Sequence, residues 1–340
     1  MIIDLSELQD SAHKAFPASD LMPARDASWK TVGELGWLLI DLPEELGGLG
    51  LPREAAAAIL YELGKGLGSA PLTPALLALR ALASADHFSV RADWIDRICG
   101  GEYVPLNMLP GKLEASADGR LSGTVSGLFE ADMASHVLVG ASGAYRLIPT
   151  DAPGVTLTER PLWDSSRRLF DLRLDGVASD STLLVADGAD AIRLHEEIAR
   201  SAHLFVAADS LGGAHAALDM SVEYLKVRKQ FDRPLAMFQA LKHRCADLKI
   251  AIVTAEALFW ARAHVADTIP VVDLGAMKAL ATDTYRMVTE EAIQLHGGIG
   301  LTEEYPIHHY MKRAMVNLQL CGSLDYWRGE AGQAALAALS

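Results

Sequence analysis

The sequence predicts a mostly α-helical chain with a β-rich domain in its middle, and three observations carry that prediction. Apolar residues recur at three- and four-residue spacing from residue 5 to about residue 99. Between about 100 and 190, short β-type runs separated by Gly, Asp and Pro replace that period. The helical period then returns and continues toward the C-terminus. The expected organisation is an N-terminal helical domain (1–99), a middle β domain (100–190) and a C-terminal helical domain (191–340).

In order along the chain, the clearest early helices are 54–64 and 74–83, punctuated upstream by Pro43 and the run Gly47-Gly48-Leu49-Gly50. In the middle, 121–125, 136–139, 145–148 and 182–185 read as strands. A long Ala- and Leu-rich helix follows from about 192 to 227. The Gly212-Gly213 pair inside it lowers helix propensity, so it implies a close helix–helix contact there. No internal repeat or low-complexity tract interrupts this order.

Composition narrows the function. With 340 residues, half of them hydrophobic, the chain can bury a large core. Its 30 Lys and Arg against 44 Asp and Glu give a formal net charge of −14, which argues against nucleic acid or an anionic membrane as partner. Cys99, Cys245 and Cys321 are widely spaced, which suggests neither a disulfide framework nor a cysteine metal site and fits a reducing cytoplasm. The first ten residues lack the basic start and apolar run of a secretory signal, and no stretch is long and apolar enough to span a bilayer. His308 and His309 invite a metal reading. Adjacent residues point about 100° apart on a helix and the sequence offers no third ligand, so no metal is expected and the pair reads as surface or interface histidines.

Three motifs are more specific. The first is 36–51, where Pro43-Glu44-Glu45-Leu46-Gly47-Gly48 closes an apolar segment; alone it reads as a helix end and a glycine turn. The second is Arg228-Lys229-Gln230-Phe231, followed by Pro234-Leu235 and Phe238-Gln239. The third is Gln294-Leu295-His296-Gly297-Gly298-Ile299-Gly300, running on to Glu304-Tyr305-Pro306. Together, and in this order of helices, strands and helices, they resemble the acyl-CoA dehydrogenase flavoprotein family over essentially the whole chain.

The resemblance implies an N-terminal helical domain, a middle β-barrel or sandwich, and a C-terminal four-helix bundle. It implies FAD as cofactor, an acyl-CoA thioester as substrate and an electron-transfer acceptor as redox partner. It assigns cofactor contacts to Arg228, Gln230, Phe231, Gln239, Gln294, Gly297, Gly298 and Ser323, which in the family reach across a subunit boundary to the ADP half of a neighbour's FAD. The chemistry suits that role. A guanidinium makes charge-assisted, bidentate bonds to a pyrophosphate, an aromatic face can stack on adenine, and paired glycines let a ligand approach the backbone.

Elsewhere the pattern is broken. The family removes an α-proton with a carboxylate while a β-hydride passes to the flavin. Here Cys321, followed by Gly322-Ser323, stands where most members have that glutamate, and a thiol with an ordinary pKa of about 8.5 next to Leu320 reads as small filler. The alternative base position and its neighbouring arginine position hold Ala202 and His203. Glu196, Glu197 and Arg200 lie one to two turns earlier and read as an exposed charged face. In the middle domain, Met108-Leu109-Pro110-Gly111 and Thr124-Val125-Ser126-Gly127 lack the hydroxyl and tryptophan that line the flavin ring in family members. Lys312-Arg313 stands where the family usually has Arg-Asp.

No residue of this chain is therefore expected to be catalytic. The resemblance implies a subunit that donates half of an FAD site to a homologous partner, in the α2β2 manner of bacterial enzymes that dehydrogenate steroid side-chain CoA thioesters. Two other readings stay open: a homo-oligomeric flavoenzyme whose base is Glu196, Glu197 or Asp325, and a flavin-free scaffold of the same fold.

Overall fold

The computed structural model describes residues 4–338. Five helices come first, α1 (Leu5–Ala15), α2 (Arg25–Glu34), α3 (Arg53–Lys65), α4 (Leu72–Ala83) and α5 (Arg91–Cys99). Seven strands follow: β1 (Gly111–Ala115), β2 (Arg120–Phe129), β3 (His136–Ala141), β4 (Ala144–Pro149), β5 (Val155–Arg160), β6 (Leu169–Ala178) and β7 (Leu183–Asp187). The long helix α6 (Gly188–Val227) leads into the hairpin β8 (Lys229–Gln230) and β9 (Arg233–Pro234). The chain then ends in α7 (Gln239–Ala263), α8 (Val271–His296), α9 (Ile307–Asn317) and α10 (Leu324–Ala337). This is the expected mostly α fold with a β-rich middle.

The fold forms two compact units, one from residues 1–23, 53–68 and 203–340, the other from 24–52 and 69–202. In the second, the strands form two antiparallel sheets, β1-β2-β6-β5 and β3-β4-β7. Strands β2 and β6 are ten residues each and alternate buried with exposed positions along much of their length, as strands with one solvated face do. The motif at 36–51 lies in this unit and consists of two 3-10 turns, Trp37–Leu39 and Glu44–Leu46, instead of the end of an α-helix. Its glycines are needed: Gly47 has φ +80°, and a Cβ on Gly48 would lie 2.1 Å from the Leu42 carbonyl.

The first unit is helical. Its core joins Leu225 of α6, Leu248 and Ile252 of α7, Tyr285, Val288 and Leu295 of α8, and Tyr310 of α9. The expected close contact at Gly212-Gly213 is present. A Cβ on Gly212 would lie 1.8 Å from the Tyr61 carbonyl of α3, and one on Gly213 2.4 Å from the Tyr285 ring. Arg313, fully buried on α9, pairs with Asp209 of α6 at 3.0 Å, and Asn317 donates to the other Asp209 oxygen at 2.6 Å. That ion pair was not legible in the sequence.

Candidate functional site

Most of the residues singled out by sequence lie where helices end. Helix α6 stops at Val227 and the chain reverses at once, with Gln230 paired to Arg233. Phe231 and Asp232 form the two-residue loop at φ +52° and +59°, the left-handed pair that a type I′ hairpin requires. Such a conformation costs a non-glycine residue roughly 1–2 kcal/mol. Burial does not offset it, because Phe231 is 86% exposed. The ring is instead presented outward, with Phe238 edge-on at 6.2 Å behind it.

At the far end of α8, Gly297 takes φ +68° and ψ −146°, a conformation essentially reserved for glycine, and its N–H closes the helix on the Ile293 and Gln294 carbonyls. Added Cβ atoms on Gly297 or Gly298 would meet nothing within 4 Å, so both present bare backbone to open space. The two helix ends are joined by an aromatic stack. Tyr224, one turn before Arg228, stacks on His296 at 4.4 Å, and Tyr305 packs on both rings. Nothing in the sequence reading pointed to Tyr224. Its position four residues before Arg228, on the same helix face, was the available signal.

Arg228, Gln230, Phe231, Gln239, Gln294, Gly297 and Gly298 are all exposed, and the segments bearing them are anchored on one apolar cluster through Leu225, Leu235, Leu241, Ile293 and Leu295. Ser323 lies on a separate segment, at the start of α10. It is half-buried and caps α10, its Oγ accepting the Tyr326 N–H at 3.3 Å. The rim residues fit the ADP part of FAD: a guanidinium for phosphate, an aromatic face for a purine, amides for polar edges and open glycine backbone.

Two of the altered positions, the arginine position at His203 and the segment of Cys321, meet at Trp327. His203, 1% exposed on α6, lies edge-on to the Trp327 ring at 4.5 Å, and the indole Nε1 donates to the Cys321 carbonyl at 2.8 Å. The indole rests on two glycines, since a Cβ on Gly275 would lie 2.2 Å from it and one on Gly322 2.5 Å. Beneath it, fully buried Lys278 donates from Nζ to the Gly322 carbonyl at 2.6 Å. Burial pushes the Cys321 thiol up to about 11, with Lys278 opposing the rise, so it is no thiolate at neutral pH. Glu196 is exposed, Glu197 lies 3.8 Å from Arg200 across one turn, and Asp325 is exposed.

Burial pushes the Lys278 ammonium down to about 8, the neighbouring Cys321 opposing the drop. An unfolded lysine titrates at about 10.4, so between about pH 8 and 10.4 the unfolded chain keeps a proton that the folded chain has released. The contribution of Lys278 to stability should therefore rise with pH through that window, opposite in sign to that of the Cys321 thiol, which holds its proton longer in the folded chain. Urea midpoints of the wild type should climb relative to Lys278→Met from about pH 8 to 10; parallel curves would mean that the ammonium is solvated.

In the other unit, the two segments expected near a flavin ring do meet. Met108 donates its N–H to the Gly127 carbonyl at 2.9 Å, and a Cβ on Gly127 would lie 2.5 Å from the Leu109 nitrogen. Met108 is buried and Leu109 half-buried, so the first of these segments presents an apolar pair where the resemblance leads one to expect a hydroxyl.

Comparison with known proteins agrees with this geometry. Residues 6–102 match the acyl-CoA dehydrogenase N-terminal domain and residues 196–336 the acyl-CoA dehydrogenase C-terminal domain. The chain therefore belongs to the acyl-CoA dehydrogenase family of FAD-dependent oxidoreductases. Within it, the acyl-CoA dehydrogenase IpdE2 of Mycolicibacterium smegmatis is 33% identical over 300 residues, covering 86% of this chain and 83% of that protein. Among solved structures, a variant of the Tcur3481-Tcur3483 steroid ACAD is 27% identical with a TM-score of 0.85, covering 99% of each chain. The ChsE4-ChsE5 complex from Mycobacterium tuberculosis shares the fold, with a TM-score of 0.83 at 24% identity over 97% of this chain and 95% of that one.

Proposed function

We propose that this chain is the non-catalytic subunit of a cytoplasmic heteromeric acyl-CoA dehydrogenase, giving the ADP half of an FAD site to a homologous partner. The observation that carries this reading is the Cys321, Lys278, His203 and Trp327 cluster, which holds a high-pKa thiol and a buried ammonium where a carboxylate must stand to take an α-proton. The chemistry that FAD supplies in such an enzyme is acceptance of the β-hydride. This chain's part is to bind: Arg228, Gln230, Phe231, Gln239, Gln294, Gly297 and Gly298 would hold the nucleotide portion, with Ser323 at the margin of the site, while proton removal falls to the partner.

Two further features support a partner. Val227, Met237, Ile250, Val253, Leu280, Met287 and Leu301 are exposed in the helical unit, apolar side chains available to a partner subunit. The Tcur3481-Tcur3483 steroid ACAD is named for two components, and steroid is the substrate class we assign to the complex, as a side-chain CoA thioester. The electron acceptor would be an electron-transfer protein. Cytoplasmic placement fits the three free cysteines, and no helix among the described residues is long and apolar enough to cross a membrane.

The test is Cys321→Ala in the co-expressed complex, followed by dye-linked oxidation of acyl-CoA and steroid-CoA thioesters. The rate should stay within about twofold of wild type, since no proton moves at that position. A loss approaching the roughly 10²–10⁴-fold of a missing general base would return catalysis to this chain.

A further inference from the structure

We infer that Glu303, His308 and His309 form a binding site for a divalent transition metal of the zinc type. The sequence offered two adjacent histidines and no third ligand. The fold supplies one from the segment before α9: Glu303 Oε2 lies 3.6 Å from His308 Nε2 and 4.0 Å from His309 Nε2. One ligand atom from each of the three residues lies within 4.8 Å of the others. Metal–ligand bonds of roughly 2.0–2.2 Å at tetrahedral angles put ligand atoms about 3.3–3.5 Å apart, so the site closes with a small contraction. The exposed Glu303 side chain can make it. Adjacent helical residues diverge by about 100°, yet here the two imidazole centroids are only 4.1 Å apart, because both rings turn toward the same side at the first turn of α9.

His308 is the second observation. It is 5% exposed and not on the surface as expected, and neither of its ring nitrogens has a hydrogen-bond partner among the described residues. An imidazole buried without partners is costly, and a metal ion relieves that cost at one nitrogen. Two imidazoles and a carboxylate form a donor set for zinc and its first-row neighbours, with the fourth position open to water.

Two features limit the affinity. Lys312 Nζ lies 4.0 Å from Glu303 Oε1 and competes with a cation for that carboxylate, and the start of α9 carries partial positive charge. The site is thus a brace, not a deep trap. Its ligands bracket Tyr305, which packs on His296 and Tyr224, so a bound metal would fix the segment between the Gly297–Leu301 turn and α9.

The experiment uses the untagged full-length chain, stripped with chelator, titrated with Zn²⁺ by calorimetry and with Co²⁺ by visible absorption. The wild type should take one metal per chain, and the cobalt form should show tetrahedral d–d bands without a thiolate charge-transfer band. Glu303→Gln, at an exposed position that does not threaten folding, should weaken binding by more than the roughly 10–100-fold that loss of an outer partner costs. His308→Gln should do the same, and Lys312→Met should strengthen binding by freeing the carboxylate. Absence of one-to-one binding, a cobalt–thiolate band, or wild-type affinity in Glu303→Gln would overturn the assignment.

Discussion

Replacing Arg313 by methionine should destabilise the chain by roughly 3–5 kcal/mol, the range for removing one partner of a buried ion pair. Arg313 is 1% exposed and Asp209 5%. Its guanidinium bonds Asp209 at 3.0 Å and also donates to the Gly68 carbonyl at 3.2 Å. Methionine fills similar volume but takes the guanidinium's charge away from the buried Asp209 carboxylate, to which Asn317 still donates. The penalty is therefore that of an uncompensated charge and exceeds the worth of the lost bonds. The measurement is the urea midpoint at constant slope, with Lys226→Met as a control on an exposed pair to Glu223, where about 0–1 kcal/mol is expected. Adding Asp209→Asn to Arg313→Met should recover part of the loss, since the orphaned charge is then gone. If Arg313→Met costs no more than the surface control, the ion pair has no special weight in the helical unit.

That ion pair also shows where sequence reading ran out. Arg313 was visible as a departure from the family's Arg-Asp, but its partner lies 104 residues earlier on α6, and no local pattern links them. Elements with a strong period were legible: 54–64 lies within α3, 74–83 within α4, and 136–139 and 145–148 within β3 and β4. Strands β1, β5 and β6 were not anticipated. Strand β5 has an almost wholly exposed, charged face, and β6 mixes Asp and Arg into its apolar run, which blurs the alternation. The Gly212-Gly213 contact was legible because glycine in a helix interior carries a cost that needs a reason. At the site, the motif residues were legible as a set, whereas what surrounds Cys321 was not. Lys278 and Trp327 come from α8 and α10, and only folding places them under and over the segment between. Glu303 was missed for a related reason: five residues before His308 in an irregular segment, it matches no helical spacing.

Removal of the Arg228 guanidinium should then be the sharpest test of the donated half-site. Arg228 sits between the end of α6 and the hairpin, its N–H bonded to the Tyr224 carbonyl at 2.9 Å and its carbonyl receiving the Leu235 N–H at 2.8 Å, so the backbone is fixed while the side chain is exposed. Arg228→Ala therefore removes charge without disturbing these bonds and should leave the unfolding midpoint of the chain unchanged. If the guanidinium holds a pyrophosphate, the complex should lose flavin affinity by roughly 1.5–3 kcal/mol, the range for a hydrogen bond to a charged group. That corresponds to about 10- to 150-fold in the dissociation constant. Arg228→Lys should recover only part of it, because an ammonium cannot make the paired bonds of the planar fork. The chain expressed alone should bind flavin weakly with or without Arg228, since the rim holds the nucleotide end only. The readout is flavin retained by the purified complex and its dissociation constant by fluorescence. An Arg228→Ala complex with wild-type flavin affinity would make this an ordinary solvated arginine, and tight stoichiometric flavin in the lone chain would end the heteromeric reading.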